Sequence, residues 1–113
     1  MCSSDLRDVA EMLDNVLQHF IDNAPSAVSR AIHSARSERS IGVGALGYHA
    51  YLQKNDIPWE SSMAVGVNKT IFEHLKKGLH NANLELGKER GEAPDAVGTG
   101  LRFCHTKIGR AHV

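Results

Sequence analysis

Ser37-Glu38-Arg39-Ser40-Ile41-Gly42-Val43-Gly44-Ala45-Leu46-Gly47 is the stretch from which the fold is read. Ile41 and Val43 alternate with Gly42 and Gly44, a pattern that suits a short buried strand with close backbone neighbours. Residues 36–40 before it read as a charged hinge. Ala45 to Lys54 after it reads as a helix, ended before Pro58 because a proline ring disfavours helical geometry in the residue preceding it. Gly42 to Gly47 also matches G-x-G-x-x-G, which can cradle a pyrophosphate at a helix N-terminus. A dinucleotide site needs a well-formed strand before the first glycine and a second strand ending in an acid about 20 residues on. Here Ser-Glu-Arg-Ser precedes the glycines, and Pro58 disrupts any strand leading to Glu60. Tight strand-to-helix packing is therefore the expected use of these glycines, with nucleotide binding as the alternative.

Upstream, Asp8 to Asn23 has helical periodicity. Val9, Met12, Leu13, Val16, Leu17, Phe20 and Ile21 share one face, with Asp8, Glu11, Asp14, Gln18 and Asp22 on the other. Pro25 ends this helix. A second, shorter helix carries a stripe of Ala27, Val28, Ala31, Ile32 and Ala35, with Arg30 and Arg36 exposed. Downstream, one long helix is expected from Ser61 or Ser62 to Arg90. Its buried line is Val67, Ile71, Leu75, Leu79, Ala82 and Leu86, widened by Phe72. A serine caps its start well, since the hydroxyl accepts from a free first-turn N–H, and Gly91 suits its end. Gly66, Gly78 and Gly87 each cost about 1 kcal/mol relative to alanine, so tertiary packing is expected to offset them, or neighbours to approach closely there. Residues 91–100 read as a loop.

The 113 residues carry 13 basic and 13 acidic side chains, with 42% apolar and 23% charged residues. That is one domain at most, and ordinary globular composition. Zero net charge argues against binding nucleic acid by bulk charge, and no apolar run has the length of a membrane span. The N-terminus lacks the basic and apolar regions of a secretory signal. Cys2 and Cys104 do not form a disulfide framework, so a reducing, cytoplasmic setting is the default. The seven histidines offer no pair four residues apart, and no Cys-x-x-Cys is present. Lys69, Lys76 and Lys77 read as a solvated helix face, Asn68-Lys69-Thr70 as an unused sequon, and Trp59 as a packing anchor. No catalytic, cofactor-binding or metal-ligating residue is expected in the chain.

Arg39-Ser40-Ile41-Gly42-Val43-Gly44, running into the helix of Tyr48 to Leu52, resembles the large (alpha) subunit of class I ribonucleotide reductase. Thr70-Ile71-Phe72-Glu73 and Ala82-Asn83-Leu84-Glu85-Leu86-Gly87-Lys88-Glu89-Arg90-Gly91 resemble the family's next long helix, and the likeness extends from Arg7 to Phe103. It implies a partial reductase barrel domain over 7–103: mainly α, with one short strand-like segment, as a piece of a ten-stranded α/β barrel. It also implies a parent enzyme that makes deoxyribonucleotides from ribonucleoside diphosphates by thiyl-radical chemistry. Such a parent would use a small (beta) radical-generating subunit with its metal/radical cofactor, a second large subunit, and nucleotide effectors. Neither nucleic acid nor a membrane is an expected partner. The family's Asn-x-Cys-x-Glu loop, its reducing cysteine pair and the phosphate-binding turn expected just after Phe103 are missing here. The segment is thus expected to be inactive scaffold within a cytoplasmic enzyme. The rival reading is a small helical interaction module, or a nucleotide-binding module using residues 42–47.

The two ends are expected to be foreign. Ile108-Gly109-Arg110-Ala111-His112-Val113 can be encoded ATC GGA AGA GCA CAC GTC. The reverse complement, continued through an AAG codon for Lys107, reads as Met1-Cys2-Ser3-Ser4-Asp5-Leu6 once its GTG serves as a start codon. That segment resembles a sequencing-library adapter. Residues 1–6 and 107–113 are accordingly read as adapter-derived, and as packing on nothing essential.

Overall fold

In a computed structural model, residues 3–110 are described. The elements run α1 (Ser3–Asn23), a 3-10 turn (Ser26–Val28), α2 (Ser29–Glu38), β1 (Ile41–Ala45), α3 (Tyr48–Lys54), α4 (Ser62–Arg90), a second 3-10 turn (Pro94–Ala96) and β2 (Thr106–Arg110). Helix dominates, in keeping with a mainly α piece of an α/β barrel.

The long helix forms as its sequence predicts. Ser61 caps α4 by accepting from the Ala64 N–H at 3.2 Å, and Gly91 ends it at φ 92°, a backbone angle glycine adopts without a Cβ penalty. Leu75, Leu79, Ala82 and Leu86 are buried along one line, with Val67, Ile71 and Phe72 half-buried beside them. Two of its three glycines allow close packing. A Cβ at Gly78 would run into the Leu6 side chain, and one at Gly87 into the Gly100 carbonyl, whereas Gly66 faces open space. These contacts set α1 against one part of α4 and the 98–102 segment against another.

The close approach expected at the 42–47 glycines is not found. Gly42 and Gly44 lie on the exposed face of β1, and a Cβ there would meet only the Lys107 and Gly109 carbonyls, at 3.8 and 3.6 Å. That is ordinary van der Waals contact, so overpacking by a side chain at Gly44 is not expected. β1 is buried on one face only, through Ile41, with Val43 and Ala45 partly covered. Helix α3 starts three residues later than the sequence suggests, because Ala45 stays in the strand and Gly47 takes φ 81° at the turn. The expected hinge at 36–40 is also corrected. Arg36 to Glu38 complete α2, and Arg39 caps it in the left-handed conformation at φ 46°. Of the α2 stripe, Ile32 and Ala35 are half-buried while Ala27, Val28 and Ala31 are exposed, since little packs against the start of that helix.

β2 was not expected. It pairs parallel with β1 in the register Ile41↔Thr106, Val43↔Ile108 and Ala45↔Arg110. A parallel pair requires a long crossover, here supplied by α3 and α4. Two clusters form between the sheet and the helices. One joins Ala10, Ile41, Ala82, Leu86 and Phe103, and the other joins Leu6, Leu75 and Leu79 with Val43, Ile71 and Ile108 against them. Leu6 and Ile108 are therefore packed, contrary to the expectation that both ends touch nothing essential. Met1, Cys2 and Ala111 to Val113 lie outside the described residues.

Candidate functional site

The sequence-predicted candidate, Gly42 to Gly47, becomes the end of β1, a turn and the start of α3. The helix it leads into is only seven residues long. Glu60 is exposed in the turn after Pro58 rather than at a strand tip, and the strand that pairs with β1 is β2, beginning at Thr106. The geometry of a dinucleotide fold, an acid closing the second strand near the glycines, is therefore not assembled by these residues. The turn is instead an aromatic corner. Trp59 packs edge-on to Tyr48 and His49, with ring centroids 5.9 and 5.6 Å apart, and Tyr48 donates to the Ala64 carbonyl at 3.0 Å. Trp59 thus anchors α3 to the start of α4, although more than half of it stays exposed.

The strongest electrostatic feature lies at the other end of the strands, on a residue the sequence assigned to solvent. Asp14 is 1% exposed. Its Oδ1 accepts from Arg39 Nη2 at 2.6 Å and its Oδ2 from Arg90 Nη1 at 2.8 Å, while Arg102 Nε reaches both oxygens at 3.2 and 3.3 Å. Burial pushes the Asp14 carboxyl up, but the bonds from Arg39 and Arg90 and the charges of Arg39 and Arg102 outweigh it and hold the group below its ordinary value. Arg90 is raised in turn, chiefly by its bond to Asp14.

Each arginine also has a second task. Arg39 donates to Gln18 Oε1 at 2.9 Å, Arg90 to Asn15 Oδ1 at 2.8 Å and Glu11 Oε1 at 3.2 Å, and Arg102 to the Arg90 and Gly91 carbonyls at 3.0 and 3.2 Å. Arg39 lies two residues before β1 and Arg102 four before β2. One carboxylate on α1 therefore ties down the amino-terminal approach to both strands and the last turn of α4. Asn83 adds a neutral clamp beside it: its Oδ1 accepts from the Phe103 N–H at 2.7 Å and its Nδ2 donates to the Phe103 carbonyl at 3.0 Å. These side chains link α1 to the segment before β1, to the end of α4 and to the segment before β2.

No group of three or more His, Cys, Asp or Glu side chains is placed to hold a metal ion among the described residues. Lys69, Lys76 and Lys77 lie exposed on the outer face of α4, as expected. Cys104 is partly covered, and burial first, then the nearby Asp95 and Glu38 charges, push its thiol up. A raised thiol is a poor nucleophile at neutral pH. Cys2 lies outside the described residues.

The family described as the ribonucleotide reductase barrel domain matches residues 1–107. The chain belongs to that family. It is 60% identical over 98 residues to the ribonucleoside-diphosphate reductase large subunit of Invertebrate iridescent virus 3, covering 87% of this chain and 16% of the relative. To the large subunit of Invertebrate iridescent virus 6 it is 50% identical over 101 residues, covering 89% of this chain and 10% of the relative. In three dimensions it matches the Actinobacillus ureae class Id ribonucleotide reductase alpha subunit, with a TM-score of 0.87 at 33% identity, over 90% of this chain and 20% of that one. The reductase segment thus spans no more than a fifth of the relatives it resembles. No helix among its described residues is long and apolar enough to cross a membrane.

Proposed function

We propose that this segment is scaffold within the large subunit of a ribonucleoside-diphosphate reductase. The observation that carries the reading is the high identity to viral large subunits over nearly the whole chain, joined to a constellation around Asp14 whose side-chain bonds link α1 to α4 and to the segments before both strands. The parent would replace the ribose 2′-hydroxyl of a ribonucleoside diphosphate with hydrogen. A thiyl radical would start the reaction, and a cysteine pair elsewhere in the parent would supply the electrons. No residue of this segment is assigned to that chemistry: Cys104 has no second described cysteine to work with, and its thiol is held up. The parent is expected to take its radical from the metal/radical cofactor of a small (beta) subunit, to bind nucleotide effectors and to pair with a second large subunit. Thiol-dependent chemistry argues for a reducing compartment, the cytoplasm.

Residues 1–6 and 107–113 are proposed to be adapter-derived, on the codon pairing of the two ends. Sequencing the parent gene across Arg7 and Phe103 tests this directly. Continuation into parental codons different from the adapter supports it, and Met1 to Leu6 and Lys107 to Val113 standing in the gene itself overturns it. The functional reading is tested by assaying deoxynucleotide formation with a competent small subunit. The full-length reading frame is expected to be active and the 113-residue chain inactive. Turnover by the isolated chain would refute the scaffold assignment.

A further inference from the structure

Two hollows adjoin on the flank of α4. The first, of about 550 Å³, opens where β1 turns into α3. Leu46, Tyr48 and Tyr51 line one side of it, and Ile71 and Leu75 of α4 line the other. Its shape is set by the fold: Gly47 turns the chain at φ 81°, and Tyr48 is pinned by its bond to the Ala64 carbonyl. At the rim Leu46 is 90% exposed and Tyr51 48%. The second hollow, of about 560 Å³, runs along α4 past Lys76, Lys77 and His80, with Glu73 as the one acid in its lining. Thr70 and His74 line both hollows, so an apolar recess leads directly onto a cationic one.

We propose that the joined hollows bind a small amphipathic anion, an aromatic or aliphatic body ending in a phosphate or a carboxylate. The body lies between Leu46 and Tyr51 on one side and Ile71 on the other, and the head points along α4 toward Lys77. The helical spacing allows this. Thr70, His74 and Lys77 follow one another at steps of four and three residues, so their side chains leave one face of α4 about 5–6 Å apart. The sign of the head follows from the lining, where two ammonium groups face one carboxylate. An anion gains from Lys76 and Lys77, whereas a cation would meet only Glu73. A bare inorganic ion would leave Leu46 in water, and a wholly apolar ligand would use neither lysine. Each hollow falls within the roughly 300–1,000 Å³ typical of small-molecule pockets. The position also suits access from solvent in the parent. Leu75 and Leu79 pack toward the sheet, and Lys77, two positions from Leu75, lies on the opposite side of the helix, which in a barrel faces outward. The site is built from residues of this chain alone and stands whether or not the parent reduces ribonucleotides.

The test uses the full-length large subunit and fluorine NMR, which reads weak binding as line broadening. The probes are trifluoromethyl-phenyl phosphate and trifluoromethyl-benzoate, with trifluoromethyl-benzyl alcohol as the neutral comparison. At least one of the two ions is expected to broaden saturably, and the better binder tells whether the natural head is a phosphate or a carboxylate. Leu46, Lys76 and Lys77 are all exposed, so their variants should keep the fold. Lys76→Gln combined with Lys77→Gln is expected to weaken the ion about tenfold, the loss of two exposed ion contacts, and to leave the weaker binding of the alcohol unchanged. Leu46→Ser is expected to weaken ion and alcohol alike. Absence of saturable binding overturns the proposal, as does binding that neither variant weakens. Inorganic phosphate displacing the ion at equal concentration overturns it too, because the apolar recess at Leu46 would then contribute nothing.

Discussion

Asp14 sets one negative charge against the guanidiniums of Arg39, Arg90 and Arg102. Removing that charge leaves the buried Arg39 guanidinium without its carboxylate and facing the part-exposed Arg90 and Arg102, and stranding a buried charge typically costs about 3–5 kcal/mol. Asp14→Asn is therefore expected to lower unfolding free energy by about 3 kcal/mol in urea titrations, more than any single exposed acid on α1. The pH dependence has a definite sign. The folded carboxyl lies below its ordinary 3.8, so its stabilisation is fully present above that value and is lost as pH falls through the folded one. The stability gap between the wild-type chain and Asp14→Asn should stay level from neutral pH down to about 5 and close only in stronger acid. A gap that shrank between pH 7 and pH 5 would argue against a depressed Asp14. Asn83 supplies the neutral counterpart. Asn83→Ala would strand the Phe103 N–H and carbonyl together, at a cost of roughly 2–3 kcal/mol, readable by the same titration.

At the level of elements, α4 carries two glycines required by its neighbours and one that is not. Gly87→Ala would drive a methyl into the Gly100 carbonyl. The backbone of the 98–102 segment must then shift, costing about 1–3 kcal/mol. Gly66→Ala meets nothing within 4 Å and should stabilise the helix by up to about 1 kcal/mol through propensity alone. Thermal melts of the two variants should move in opposite directions. Movement in the same direction would mean that helix propensity, not packing, governs both sites. The rotation of α1 follows from the same kind of contact. Leu6, Ala10, Asp14 and Ile21 face inward while Met12 and Val16 face out, because the arginine cluster and the bare side of Gly78 set which side of α1 meets α4.

The whole molecule closes through its last strand. β2 is the partner of β1, and Ile108 packs with Val43 against the cluster of Leu6, Leu75 and Leu79. Truncation after His105 is expected to uncover the paired edge of β1, and Leu6→Ala to cost about 2–3 kcal/mol as a buried large-to-small change. Denaturant titration of both variants measures this, and unchanged midpoints would show that the ends pack on nothing essential after all.

Much of this architecture was legible in the order of residues. Apolar spacing, a serine cap and a glycine stop defined α4 to within a residue, since each acts over one or two turns of the chain. The Arg39 to Gly44 stretch and the long-helix ending pointed to the reductase family that the comparisons established. The glycine stretch reads as a poor dinucleotide site, because the missing acid-tipped strand is itself a feature of sequence. What stayed hidden depends on residues far apart in the chain. An aspartate among apolar residues reads as solvent-facing until Arg39, Arg90 and Arg102 converge on it from 25, 76 and 88 positions away. β2 has little strand character of its own, with Lys107 and Gly109 flanking a single isoleucine, and it becomes a strand because β1 offers a parallel edge. Local periodicity fixes which segments are helical. Which face of each helix is buried, and where a strand finds its partner, is decided only when charges and carbonyls from distant segments meet.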